Sequence, residues 1–555
     1  MSTLKIAGGR IIDPRNRADD VVGDVWIQDG RIVAPPTDAD ARADRTIDAR
    51  GCIVMPGGVD VHSHVAGSKV NAARIMRPEE RRGEDRVMRR WRDFRSGTIG
   101  SVPSSFTTGY LYAGLGYTTA VDAAIPPLGA RQAHAEFADV PLIDKAMLVL
   151  MGNNHLILDA VRERDPERVR RTVAWLLDSA KGFGVKAVNP GGVEQWKLGG
   201  SRIAQWDDCV DHFEVTPRDV VVALADAVDT LGLPHPLHFH GLNLGLPGNW
   251  EQTLEGMQAL DGRRVHMAHI QFHSYGGTPD RPADFGSEVG PLAGYVNAHE
   301  GITVDVGQVM FGETTSMTAD GPTGHYLANL LGRKWYNHDV EQEDGCGVSP
   351  IVYEDRNFIH ALQWAIGLEW FLRVDDPWKV AMSTDHPNGA SFRAYPDVVA
   401  LLMSKNLRDE VMARLPEKVR SRTSLGDLSR EYTLREIAVV TRAGPARILG
   451  LDRKGHLGPG ADGDVTIYMP DDDRRRMFAF PRWVVKGGEI IVEVGELRSA
   501  PGGVTLFTEL DVSPESRREL SARLAEGASF HPANFGLRFD DLASPTPVAR
   551  VGARP

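Results

Sequence analysis

The stretch Val59-Asp60-Val61-His62-Ser63-His64 decides how the rest of the chain is read. A β-compatible run leads into two histidines at i and i+2. On a strand, such residues face the same side, so two imidazoles converge where the strand ends. Outward from this point, short apolar strands recur at 118–122, 146–150, 185–188, 236–240, 265–269, 302–306 and 380–385. Helical patterns lie between them, as at 157–181 and 219–231. Together with 59–62 the strands number eight. Eight strand–helix units predict an α/β fold, a (β/α)8 TIM-like barrel over residues 57–450. An open doubly wound sheet is the alternative that this spacing leaves open.

The two ends read differently. Residues 1–56 break into short strands separated by Gly8-Gly9 and Asp29-Gly30, and 451–500 do the same around Gly463-Asp464 and Gly487-Gly488. Asp-Gly and Gly-Gly between apolar runs are hairpin signals. We therefore expect a small β-sandwich domain made of both termini, with the barrel inserted between them. Residues 501–555, punctuated by Pro and Gly, are expected to wrap the surface as a C-terminal extension.

Composition excludes several function classes. The chain has 555 residues, 42% hydrophobic and 25% charged, as in an ordinary globular protein of more than one domain. A formal net charge of −12 argues against nucleic acid or an anionic membrane as the main partner. No apolar run approaches the roughly 18 residues of a membrane span. Cys52, Cys209 and Cys346 form no C-x-x-C pair, which excludes iron–sulfur clusters and zinc ribbons. With no signal-peptide pattern at the N-terminus, a reducing cytoplasm is the expected compartment.

Against three cysteines stand 18 histidines, and their positions carry the chemistry. His238 and His240 end the fifth strand, and His266 and His269 the sixth. Asp385 and His386 end the eighth. Lys186 sits inside the apolar fourth strand, where an unpaired ammonium is costly. Barrels keep their active sites at the C-terminal ends of the strands. Histidines, a carboxylate and a buried lysine gathered there point to a divalent metal site. Imidazole and carboxylate favour zinc, with cobalt, nickel and manganese as further options.

These residues resemble the amidohydrolase superfamily of binuclear metallohydrolases. The resemblance rests on Ile47-Asp48-Ala49-Arg50-Gly51, on Pro56-Gly57-Gly58-Val59-Asp60-Val61-His62-Ser63-His64, and on Ala443-Gly444-Pro445-Ala446 through Ala461-Asp462-Gly463-Asp464-Val465. Further stretches are similar to the A subunits of formylmethanofuran dehydrogenases and bacterial formyltransferase/hydrolase complexes. These are Lys69-Val70-Asn71-Ala72-Ala73-Arg74, Gly184-Val185-Lys186-Ala187-Val188-Asn189-Pro190, His269-Ile270-Gln271-Phe272-His273-Ser274-Tyr275-Gly276 and Ser383-Thr384-Asp385-His386-Pro387. The resemblance implies two Zn2+ ions. His62, His64 and Asp385 would hold one, His240 and His269 the other. Lys186, carboxylated on Nζ, would bridge both. Asp385 would also move the catalytic proton. His238 is the reserve for His240, and His266 is the weaker choice beside His269.

The implied reaction is hydrolysis of a formamide to formate and a primary amine, within a multi-subunit complex of one-carbon metabolism. The same subunit could serve a dehydrogenase complex that condenses formate with the amine. Cyclic-amide hydrolysis and a non-catalytic scaffold are the other readings. Lys69, Asn71, Asn189, Asn243 and Asn249 follow strand ends and are candidates to orient the substrate. Residues 74–95 hold nine arginines against five acids. Arg89, Arg90 and Arg92 are candidates to dock a polyglutamate tail, although internal ion pairs on a solvated helix face explain the segment as well.

Overall fold

The computed structural model describes residues 2–38, 41–77, 87–88, 94–95, 97–278, 281–338, 346–534, 536–538 and 548–552. Eight parallel strands form the barrel: Gly58–Ser63, Tyr117–Ile125, Asp144–Leu150, Gly184–Val188, Leu237–His240, Val265–Met267, Ile302–Asp305 and Val380–Ala381. Each pairs with the next in chain order. A bridge between Ser63 and His386, with the His64 amide donating to the His386 carbonyl at 2.8 Å, joins the eighth strand's end to the first. Strands two, three, four and five are buried throughout, as a parallel sheet covered by helices requires.

The covering helices begin where the sequence allows. Thr216 and Asp219 close a reciprocal cap on Pro217–Thr230, with proline in its first turn. The stretch expected to be one helix over 157–181 is two, His155–Arg162 and Pro166–Ala180. Proline has no amide hydrogen to continue the first helix, so the chain restarts with Asp165 as cap.

The two ends build one mixed sheet of nine strands, including Thr3–Asp13, Ala18–Gln28, Ile53–Pro56, Val465–Tyr468 and Glu489–Glu493. It curls on itself, joined by a bridge from Arg31 to Asp462, around Leu4, Ile6, Val25, Ile27, Val465 and Ile467. A buried charge cluster fastens this sheet to the barrel. Lys454 contacts Asp144, Asp462 and Asp464, and Lys486 lies 2.8 Å from Asp144 and 3.2 Å from Asp464.

The C-terminal segment does more than wrap. Thr505–Glu509 joins the barrel's own sheet, pairing at Lys145 of the third strand, with Leu506 and Phe507 buried. Its Thr508 amide donates to the Gly182 carbonyl at 3.0 Å. Apolar Val504, Leu506 and Phe507 supply burial that the Pro and Gly around them conceal. Among the described residues no helix is long and apolar enough to cross a membrane.

Candidate metal centre

The first strand carries a local irregularity that the i, i+2 pattern does not reveal. Its register against the second strand shifts between Asp60 and Ser63. Such a bulge re-aims side chains. Asp60 accepts hydrogen bonds from Tyr112 at 2.7 Å and Tyr395 at 2.5 Å, both on helices. Burial raises the Asp60 carboxyl to about 6, against the hydroxyls that favour its charge. His62, inside the shifted segment, and His64, just past it, line the central cavity.

There the Nε2 atoms of His62 and His64 lie 3.0 and 3.1 Å from the same Oδ1 of Asp385. Lys186, His240 and His269 line the same floor. Lys186 Nζ and His269 Nδ1 are buried and make no hydrogen bond among the described residues, and His240 Nε2 has only the Asp320 carboxylate, 3.7 Å away. Buried polar atoms left this way, beside two imidazoles crowded on one carboxylate oxygen, are expensive unless a ligand completes them. Their chemistry, imidazole, carboxylate and amine, fits divalent cations. Burial lowers the Lys186 ammonium to about 7, although Asp305 and Asp385 favour its charge. A neutral amine is therefore accessible near neutral pH, the form that can combine with CO2.

The loops holding these groups are tightly constrained. His269 and Asp385 sit at φ 33° and 50°, and Asn189 and Asn243 at 39° and 59°. Non-glycine residues in this region cluster at functional sites.

The reserve histidines lie beneath the floor. Lys186, His238 and His266 stand in register across the fourth, fifth and sixth strands. His238 Nε2 is 3.0 Å from His62 Nδ1, and its Nδ1 is 3.0 Å from His235 Nε2. His266 Nδ1 is 2.9 Å from the Thr303 hydroxyl. Both rings are thus engaged from below, and burial holds both pKa values down.

Sequence reading missed Asp305, at the end of the seventh strand. One oxygen accepts from His62 Nδ1 at 3.0 Å and His266 Nε2 at 3.2 Å, and the other from the His269 amide at 3.1 Å. Burial opposes its charge, but His62 and His266 hold its pKa well below the carboxylate range. Its place at a strand end was the available signal.

The expected substrate residues are tied into the scaffold. Asn71 donates to Glu136 at 2.7 Å and accepts from Arg74 at 2.8 Å. Asn189 donates to Asp320 at 3.0 Å. Asn243 donates to the Ala204 carbonyl at 2.8 Å and accepts from Arg202. Asn249 donates to the Asn243 and Phe272 carbonyls at 3.0 and 2.7 Å and accepts from the Tyr275 amide at 3.0 Å. Lys69 Nζ donates to the Ala124 carbonyl. None of the five lines the cavity. Arg89, Arg90 and Arg92 lie outside the described residues. Of their neighbours, Arg77 reaches Glu313 at 2.9 Å and Arg95 reaches Asp139.

The cavity measures about 470 Å3. Its upper wall comes from the excursion between the seventh and eighth strands, through Met317, Trp335, Ile351 and Tyr353. Leu246 and Phe272 add apolar surface, and Arg333 stands in the wall. An apolar wall over a few convergent polar groups is the usual character of a small-molecule site.

A barrel with this floor is the architecture of a metal-dependent hydrolase. The amidohydrolase family profile matches residues 45–492, and the chain belongs to that family. It is 43% identical over 540 residues to protein FwdA of Methanocaldococcus jannaschii, covering 94% of this chain and 93% of that one. It is 40% identical over 552 residues to the A subunit of the formyltransferase/hydrolase complex Fhc of Methylorubrum extorquens, covering 98% and 96%. The crystal structure of the FhcABCD complex from Methylorubrum extorquens with methylofuran contains a chain that superposes with a TM-score of 0.92 at 37% identity, covering 100% of both chains.

Proposed function

We propose that this chain cleaves the formamide bond of an N-formylated primary amine on a furan-type carrier, releasing formate, as the A subunit of a formyltransferase/hydrolase complex. The observation that carries the reading is the polar floor. His62, His64 and Asp385 converge there, and beside His240 the Lys186 Nζ and His269 Nδ1 atoms are buried without a hydrogen bond, beneath an apolar chamber. Similarity over nearly the full length to the Fhc A subunit, whose complex was crystallised with methylofuran, supports both the carrier and the assembly.

His62, His64 and Asp385 would hold one Zn2+, and His240 and His269 a second, with carboxylated Lys186 between them. When bound, two such ions activate water near neutral pH and polarise the formyl carbonyl. The chain's own groups do the rest. The apolar wall seats the carrier ring and orients the formyl group toward the floor. Asp385 takes a proton from the attacking water and returns it to the amine nitrogen as the C–N bond breaks. The balance is formamide plus water to formate, a proton and the free amine. Run backwards, the same groups condense formate with the amine, so the other proteins assembled around the chain decide the direction.

The test is formate release from an N-formylated furfurylamine by the purified complex. The reading predicts turnover that disappears on chelation and returns with zinc. It fails if reloaded protein, with its full metal content, releases no formate from this substrate or from a formylated carrier bearing a glutamate tail.

A further inference from the structure

His273 ends the short turn Ile270–His273 that follows His269. It is fully buried and has no role in the assignment above. Its carbonyl accepts the Thr253 hydroxyl at 2.8 Å, so the backbone is fixed. The ring is not satisfied. Neither nitrogen makes a hydrogen bond among the described residues. The Leu242 carbonyl favours a proton on the ring without meeting hydrogen-bond geometry. A buried polar group left in this state costs about 1–3 kcal/mol. His238 and His266, equally buried, have both nitrogens engaged.

The neighbours of His273 are also short of partners. His269 Nδ1 is orphaned, His240 Nε2 has only the Asp320 carboxylate at 3.7 Å, and nitrogens of the three rings lie within 4.8 Å of one another. Their centroids are 4.7, 5.1 and 5.4 Å apart. Imidazoles bound tetrahedrally to one ion, with Zn–N of about 2.1 Å, have centroids about 5 Å apart. All three separations agree with one cation shared by three rings.

We propose that His273 is a third imidazole ligand of the second cation. This rests on the floor being a metal centre, but not on the formamide substrate. The second cation then has three neutral ligands of its own and stays bound without carboxylated Lys186. His273 itself does not line the cavity.

The experiment strips the full-length protein of metal and titrates it with Zn2+ and Co2+ against a competing chelator. Wild type, His273→Ala, His273→Gln and His240→Ala are compared, with folding followed by circular dichroism. The proposal predicts that wild type binds two cations. Both His273 variants, like His240→Ala, should keep one and bind the second at least tenfold more weakly, with an altered visible cobalt band. Glutamine keeps much of the ring's bulk, so it decides the matter should the alanine variant fail to fold. Two cations bound with unchanged affinity and an unchanged cobalt band in His273→Gln overturn the proposal. So does an anomalous diffraction peak bonded to His240 and His269 but beyond bonding distance of His273. Neither readout depends on formate release, so a failed substrate assignment leaves this result standing.

Discussion

His62 Nδ1 lies 3.0 Å from the Asp305 carboxylate, and this contact assigns the two nitrogens of the ring. The carboxylate accepts the Nδ1 proton, so Nε2 is the nitrogen that faces Asp385, and a bound cation would take the place of any proton there. Burial works against charge on His62, yet Asp305 and Asp385 lift its pKa to about 9. Asp305 also holds His266 and the His269 amide. Carboxylates behind a metal-binding imidazole typically contribute 10–100-fold in metal affinity. Asp305→Ala should therefore weaken zinc binding by about that factor. Asp305→Asn, which keeps an acceptor but not the charge, should fall between. Chelator competition measures both, and equal affinity in all three proteins contradicts the role.

Lys186 gives the metal centre a pH dependence of definite sign. Carboxylation needs the neutral amine, and burial brings the ammonium down to about 7. Below that pH the amine is protonated and cannot react with CO2. Reconstitution of metal-free protein with zinc and bicarbonate should thus rise steeply between pH 6 and 8. Intact mass under non-denaturing conditions reads the added CO2. A yield independent of pH across this range counts against carboxylation.

Asn249 separates a structural role from a substrate role. Its side chain satisfies two carbonyls and one amide, all buried. Removing it leaves those groups unpaired, at about 1–3 kcal/mol each. Asn249→Ala should lower the melting temperature by several degrees while KM for the formamide changes less than twofold in protein that remains folded. A rise in KM without loss of stability would place Asn249 in contact with substrate.

The contrast between Asn249 and His62 shows what sequence made legible. The strand–helix alternation and the converging histidines depend on local spacing and were readable within a few residues, whereas closure of the barrel over an open sheet rests on the contact of His64 with His386. Asp305 meets His62 across 243 positions, so its role exists only once the barrel closes. The bulge after Asp60 was hidden because alternation looks intact in sequence, while the register against the neighbouring strand is set in three dimensions. Thr505–Glu509 was obscured by its flanks, since its burial comes from the gap it fills beside Lys145. The loop asparagines looked polar and available, and in the fold Asn71 and Asn189 bond the Glu136 and Asp320 carboxylates while Asn243 and Asn249 bond backbone carbonyls.

Gly307 tests how closely the sixth and seventh strand ends are packed. Its φ is +67°, and an added Cβ would lie 2.5 Å from His269 Cβ and 3.0 Å from His269 Cα. Backbone in this region costs a side chain about 1–3 kcal/mol, before the clash is counted. Gly307→Ala should displace His269 and halve the bound metal while the first cation stays with His62, His64 and Asp385. Metal analysis of the folded variant reads this directly, and two full equivalents would show that the loop absorbs the methyl group.

The charge cluster between the barrel and the curled sheet predicts how stability follows acid. Asp144 is fully buried, and burial alone would raise its pKa, but Lys454 and Lys486 pull it well below the ordinary carboxylate value. Asp464 is lowered by the same two lysines. A folded pKa below the unfolded one means that the ionised pair stabilises the protein above about pH 4. That stabilisation is lost as pH falls further and the unfolded chain takes up the proton. Removing one member of a buried pair costs about 3–5 kcal/mol because its partner is left uncompensated. Asp144→Asn should therefore unfold at markedly lower denaturant than wild type at pH 7. The gap should narrow below pH 4, where the unfolded wild-type chain takes up a proton that the folded Asp144 still refuses. Denaturant midpoints measured from pH 3 to 8 give the comparison, and a gap that stays constant over that range would show that the ion pairs do not fasten the sheet to the barrel.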